Sequence, residues 1–210
     1  MIEPRDEGRG AGNREALGLY RTAESERRAG KIGAARLHLE RALALWRERG
    51  LPSDEIVAMN ALGILSLDTG DAPGARANFK DALRIGRRTG HVGGQAGSLY
   101  GLAEIDRRLG RRVEARFGFE RALAFWKEVE DRKGIASALS SLGTLDRDEW
   151  ALASARRRFE EALVIGREIN DLDTQAENTR GLADVGRREG KYERAERDLK
   201  DALVPTFLGT

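Results

Sequence analysis

Small and large apolar positions recur along this chain at one interval, forty residues. Ala42-Leu43, Ala82-Leu83, Ala122-Leu123, Ala162-Leu163 and Ala202-Leu203 stand in register, and seven positions earlier stand Ala35, Ala75, Ala115, Ala155 and Ala195. Between them lie Leu39, Phe79, Phe119, Phe159 and Leu199, while Leu62, Leu102, Leu142 and Leu182 keep the same step and are followed by Gly63, Ala103, Gly143 and Ala183. Within one unit, Ala35, Leu39, Ala42, Leu43 and Trp46 fall on a single helical stripe. A further column, Gly30, Gly70, Gly110 and Gly190, sits where a preceding helix should end.

Each unit therefore reads as two helices. First helices are expected near 14–29, 54–69, 94–109, 134–148 and 174–189, and second helices near 32–49, 72–89, 112–129, 152–169 and 192–204. Asp71 has the place of an N-cap with Pro73 in the first turn. Ser53 reads as a cap after Pro52, and Thr174 to Glu177 has capping-box spacing. The Gly and Ala columns let helix backbones approach closely, and the Leu and Phe columns fill the space between neighbours. One helix pair cannot enclose its own apolar face, so pairs should stack. The expected fold class is all-α: a solenoid of five helix-turn-helix repeats and ten helices, near 13–52, 53–92, 93–132, 133–172 and 173–204. Short tails, 1–12 and 205–210, flank it.

Composition narrows the chemistry. Of 210 residues, 40% are apolar and 34% charged, which fits a thin layered core better than one thick one. Cysteine is absent, excluding disulfides, thiolate metal sites and cysteine nucleophiles. No uncharged apolar run approaches membrane-spanning length, and acids occupy the N-terminus where a secretory signal needs an apolar stretch, so the expected address is the cytoplasm. Lys+Arg total 37 against 35 Asp+Glu, so no global nucleic-acid footprint exists. Of the two histidines, His38 falls mid-helix and His91 in the loop after the second repeat. Neither has a partner at zinc-ligand spacing. Gly8 to Gly12 has neither a preceding strand nor a following Gly-Lys-Ser/Thr, and Gly90 to Gly94 reads as an inter-repeat turn. The inventory predicts no enzyme, no cofactor and no metal.

Leu62-Gly63, Gly70-Asp71, Ala75, Phe79 and Ala82-Leu83 resemble the tetratricopeptide repeat signature, and the same columns return over about 13–204. The forty-residue step is similar to the extended-helix type of Pins-like polarity adaptors, kinesin light chains and bacterial MalT-like regulators. That resemblance implies a right-handed superhelix whose first helices line a concave groove for a peptide or partner segment. Mapped onto this chain, the inward rows are Tyr20, Asn60, Tyr100, Ser140 and Arg180, then Glu24, Ile64, Glu104, Thr144 and Asp184. Near the helix ends come Arg107, Arg147 and Arg187. Tyr20 and Tyr100 suit a bound chain, Asn60 can pair with peptide backbone, and the arginines can fork onto carboxylates, which favours an acidic partner. The same arginines also complement helix dipoles. The lysine-and-asparagine clamp of chaperone-tail binders is not matched, since Tyr20 and Glu24 occupy its positions.

Two alternatives accompany this reading. One is nucleic-acid binding on the arginine rows, against which the interleaved Asp68, Glu104 and Asp184 speak. The other is a homo-oligomer formed through repeat 5 and the tail after Leu203. Thr22 replaces leucine in a terminal, partly exposed first helix. Trp150 replaces the turn glycine in repeat 4, where the turn is expected to be distorted and the ring to cover a local apolar gap.

Overall fold

The computed structural model describes residues 11–190, with side chains from Asn13 onward. Among the described residues there are nine helices and no strand: α1 (Ala11–Arg28), α2 (Ile32–Glu48), α3 (Pro52–Asp68), α4 (Ala72–Thr89), α5 (Val92–Arg108), α6 (Arg112–Glu128), α7 (Arg132–Asp148), α8 (Leu152–Glu168) and α9 (Leu172–Arg188). The predicted tenth helix, 192–204, lies outside the described residues. The chain divides into two compact units, Met1–Val129 with α1 to α6 and Glu130–Thr210 with α7 to α9.

In the first unit each helix packs on the next in sequence, and α3 also lies directly on α5. The alanine columns are at the contacts: Ala35, Ala42, Ala75, Ala82, Ala115 and Ala122 are wholly enclosed, beside Leu39, Phe79 and Phe119. Burial of each such large side chain contributes about 1.5–3 kcal/mol. Phe79 shows why α3 and α5 each carry a glycine at their contact. A Cβ on Gly63 of α3 would stand 2.6 Å from its ring, and one on Gly101 of α5 would also overlap it. Two helix backbones thus grip one aromatic ring. The second unit repeats the device with α7, α8 and α9, where Cβ atoms on Gly143 and Gly181 would each stand 2.8 Å from Phe159.

The turns after first helices follow one geometry. Gly30, Gly70, Gly110 and Gly190 have φ of 72°, 78°, 74° and 74°, the left-handed region in which glycine is unstrained. Trp150 adopts φ 61° at the same place. Ala151 N–H donates to Asp146 C=O at 2.8 Å, just as Lys31 donates to Glu26, Asp71 to Ser66 and Arg111 to Asp106. The expected distortion is therefore absent: the helix-ending hydrogen bond is retained, with the side chain tolerated in the turn.

Helix starts bring two further corrections. Asp71 does cap α4, accepting from Gly74 N–H at 2.9 Å. The cap of α3 is Leu51 without a side-chain bond, with Pro52 in the first turn, so Ser53 lies inside the helix. The cap of α9 is Asp171, which accepts from Thr174 N–H at 3.2 Å, so Thr174 is a recipient of capping. His91 serves as a cap too, its Nδ1 accepting from Gly94 N–H at 2.9 Å, and His38 Nδ1 lies 2.7 Å from Glu26 between α1 and α2.

Candidate partner-binding surface

The predicted inward residues have different fates. Tyr20 is 3% exposed and packs on Trp46 at a centroid distance of 6.1 Å, while the Trp46 indole N–H donates to Asn13 Oδ1 at 2.7 Å. Its ring belongs to the core of the first unit. Tyr100 is half-buried, 5.2 Å from Phe119 and 5.4 Å from Trp126, so its ring packs on two aromatic neighbours while remaining partly accessible. Asn60, also half-buried, clasps two first helices. Ser98 Oγ lies 2.9 Å from both Asn60 Oδ1 and Gly94 C=O, and Asn60 Nδ2 donates to Gly94 C=O at 3.4 Å. Ile64 joins an apolar cluster with Leu67, Phe79 and Ile105.

In the second unit, Ser140 is buried, its Oγ 2.9 Å from Ala136 C=O and from Asn178 Oδ1. Asn178 Nδ2 donates to Thr174 C=O at 2.7 Å. Arg180 is exposed, donating Nε to Ala176 C=O at 3.3 Å. The structure therefore brings Asn60, Ile64, Tyr100, Glu104 and Arg107 together on α3 and α5, and Ser140, Arg147, Arg180 and Arg187 on α7 and α9. Tyr20 stands apart on α1.

At the helix ends the charges form compact clusters. Arg107 forks onto Glu104 at 2.8 and 2.7 Å, Arg108 Nε adds a third bond at 2.8 Å, and Arg108 Nη1 donates to Leu67 C=O at 2.8 Å. Thus a cation from α5 adds a charge-assisted bond at the carbonyl end of α3. Burial pushes the Glu104 carboxyl up, but the bonds from Arg107 and Arg108 outweigh it and hold the group below the ordinary carboxylate range. In the second unit Asp184 receives Arg147 Nε at 3.3 Å, Arg187 Nη2 at 2.9 Å and Arg188 Nε at 3.5 Å, and Arg188 Nη1 donates to Arg147 C=O at 2.8 Å. Burial again acts upward on Asp184, and the three guanidiniums carry it below the usual range. On α1, burial lowers the Arg27 pKa while Glu24 and Asp68 raise it, with a net upward shift.

Two regularities escape the forty-residue reading. The first is a doubled period: Glu24, Glu104 and Asp184, each followed by an Arg-Arg pair, alternate with Ile64 and Thr144, each followed by Asp68 or Asp148. The signal lay in the sequence, among the polar positions between the apolar columns. The second is a row of arginine rungs from second helices to the following first helix. Arg36 reaches Ser66 at 3.4 Å, Arg76 reaches Asp106 at 2.8 Å and Arg156 reaches Glu189 at 3.0 Å. Their column, immediately after the alanine column, was equally visible.

Among the described residues no cluster of three or more His, Asp or Glu could hold a metal ion, and no helix is long and apolar enough to cross a membrane. A shallow cleft at the α8–α9 turn is spanned by Lys133 and Asp171, 2.6 Å apart. The expected self-association surface, repeat 5 with the following tail, falls mostly outside the described residues.

Residues 56–89 match the tetratricopeptide repeat family. No curated protein matches the chain in sequence. Among solved structures, BtubC (BKLC) from P. vanneervenii is similar at TM-score 0.64 and 19% identity, over 92% of this chain and 90% of that one. A Podosopora anserina protein described as a kinesin light chain with nearly identical TPR-like repeats is similar at TM-score 0.63 and 14% identity, over 92% and 95%. A Rap protein complexed with competence and sporulation factor has TM-score 0.79 and 17% identity, over 94% of this chain but 55% of that one. Residues 56–89 thus carry a tetratricopeptide repeat, and the helix-pair fold as a whole is shared with these TPR-like structures.

Proposed function

We propose that the chain is a non-catalytic interaction scaffold that receives an extended, acidic segment of a partner protein on the open side of its first helices. The observation that carries this reading is the mixed row on α3 and α5. It combines the Asn60 amide, the Ile64 side chain, the partly accessible Tyr100 ring and the Arg107 guanidinium within a framework already tied by clasps and ion pairs. Backbone groups of a strand-like ligand find donors and acceptors there, its side chains find apolar surface, and its carboxylates find guanidinium hydrogens. Because the framework is pre-tied, ligand binding pays little ordering entropy. Arg147, Arg180 and Arg187 offer the corresponding chemistry on α7 and α9. Tyr20, enclosed against Trp46, is left out of this surface. The absence of cysteine suits a cytoplasmic setting.

A displayed library of twelve-residue peptides, followed by amide hydrogen exchange on the tightest binder, tests the reading. Protection concentrated on α3, α5, α7 and α9 is the expected result. Protection confined to the second helices would overturn it.

A further inference from the structure

After each of the five first helices stands one left-handed residue; in four cases it is glycine, and after α7 it is Trp150. A side chain in that region is disfavoured. The ring gains little from burial in return, because Trp150 is 67% exposed whereas Trp46 and Trp126 are 0% and 4% exposed. It does not cover an apolar gap. What it meets is a cation: the Arg188 guanidinium stands 5.3 Å from the ring centroid. Arg188 is itself held in place by the Arg147 carbonyl. Beside it, Asp184 is shared among Arg147, Arg187 and Arg188, and Arg187 remains 56% exposed. A second carboxylate, Asp148, takes two bonds from Arg147 at 3.0 and 2.9 Å and lies 4.0 Å from Arg188. Two carboxylates still cannot saturate three guanidiniums with five N–H donors each, so donors remain for an incoming anion, above all on Arg187.

We propose that Trp150, Arg187 and Arg188 form an anchoring site for an acidic partner segment that carries an apolar side chain. The apolar group covers the open part of the indole, and an adjacent carboxylate takes the guanidinium hydrogens that Asp184 and Asp148 leave unused. Strain accepted in a turn, an exposed indole and flanking arginines together have the composition of a binding hot spot. Glu149, exposed on the same turn, opposes an acidic ligand and sets its limit. The inference rests on the chain being a receiver of partner segments, but it uses the α7–α8 turn rather than the helix faces.

The test is selection from the twelve-residue peptide library on the wild type, with the best peptide then measured against variants. The selected sequences should pair Asp or Glu with an apolar residue. Trp150→Gly, which restores the residue of the other four turns and so should fold, should weaken binding by about 30-fold. Glu149→Gln should tighten it by about twofold. Saturation should also shift the tryptophan emission of the wild type, and the shift should vanish in Trp150→Gly. A library that yields no binder removes the partner-segment reading and this inference together. Peptides that bind Trp150→Gly as tightly as the wild type but lose affinity in Arg107→Ala remove this inference alone.

Discussion

The pair α3/α5 and the pair α7/α9 are assembled with the same ties, yet differ in what they present to solvent. Each grips one phenylalanine between two glycines, each has an arginine from the later helix on the carbonyl end of the earlier one, and each is closed by a Ser–Asn clasp. In the clasp the partners have exchanged sides: Asn60 reaches forward to Ser98, whereas Ser140 is met by Asn178 from the following helix. What the hydrogen bond requires is the pair, and either helix can supply either member. Outside these ties the pairs diverge. Half-buried Tyr100 corresponds to exposed Arg180, and exposed Gly70 to exposed Trp150. Packing geometry holds the framework constant, while the accessible positions are free to vary in chemistry.

The strongest way to break this comparison is at the glycines. Gly101→Ala and Gly181→Ala should each destabilise the chain by about 2–3 kcal/mol through overlap with Phe79 and Phe159, despite alanine's better helix propensity. Gly18→Ala, with nothing within 4 Å of its new methyl, should stabilise by about 1 kcal/mol. Thermal melts that rank all three alike would show that the rings are not gripped.

The clasps come next. Asn178 is fully buried and Asn60 only partly, so Asn178→Ala should cost about 2 kcal/mol and Asn60→Ala about 1 kcal/mol in denaturant titrations. Equal losses would mean that solvent reaches both clasps equally.

The charge clusters sharpen the comparison further. Glu104 and Asp184 are held below the ordinary carboxylate range, so their stabilisation is complete above the unfolded values of about 4 and fades as pH falls through the lower folded values. Glu104→Gln and Asp184→Asn should lose about 1–2 kcal/mol at neutral pH and flatten the stability profile in acid. An acid limb unchanged in both variants would assign it to other carboxylates, such as Asp171 beside Lys133. The smallest effect is expected at the turn: Trp150→Gly should raise stability by about 1 kcal/mol, whereas Gly70→Trp should lower it by a similar amount.

Much of the framework was legible in advance because close packing writes itself into residue size. The alanine, glycine and phenylalanine columns located every described helix to within a few residues. The surface was less legible for a geometric reason. A small rotation about a helix axis decides whether Tyr20 or Tyr100 lies against a neighbour or opens to solvent, and composition does not encode that angle. Asn60 reads as a backbone-binding amide from one repeat alone. Its role as a clasp depends on Ser98, thirty-eight positions away, which no apolar column marks. Trp150 shows the converse, since its exposure depends on how little the adjoining repeat offers to cover it.

The arginine that closes the carbonyl end of the preceding first helix has a consequence for editing such arrays. Excising one forty-residue unit from the first part of the chain, for instance 53–92, would set Arg28 beside Arg108 and delete Asp68, which receives Arg27. Two Arg-Arg pairs would then adjoin without the aspartate that separates them. The smallest length that can be removed or inserted without such a mismatch is eighty residues, so these arrays are expected to be shortened or extended in even numbers of repeats.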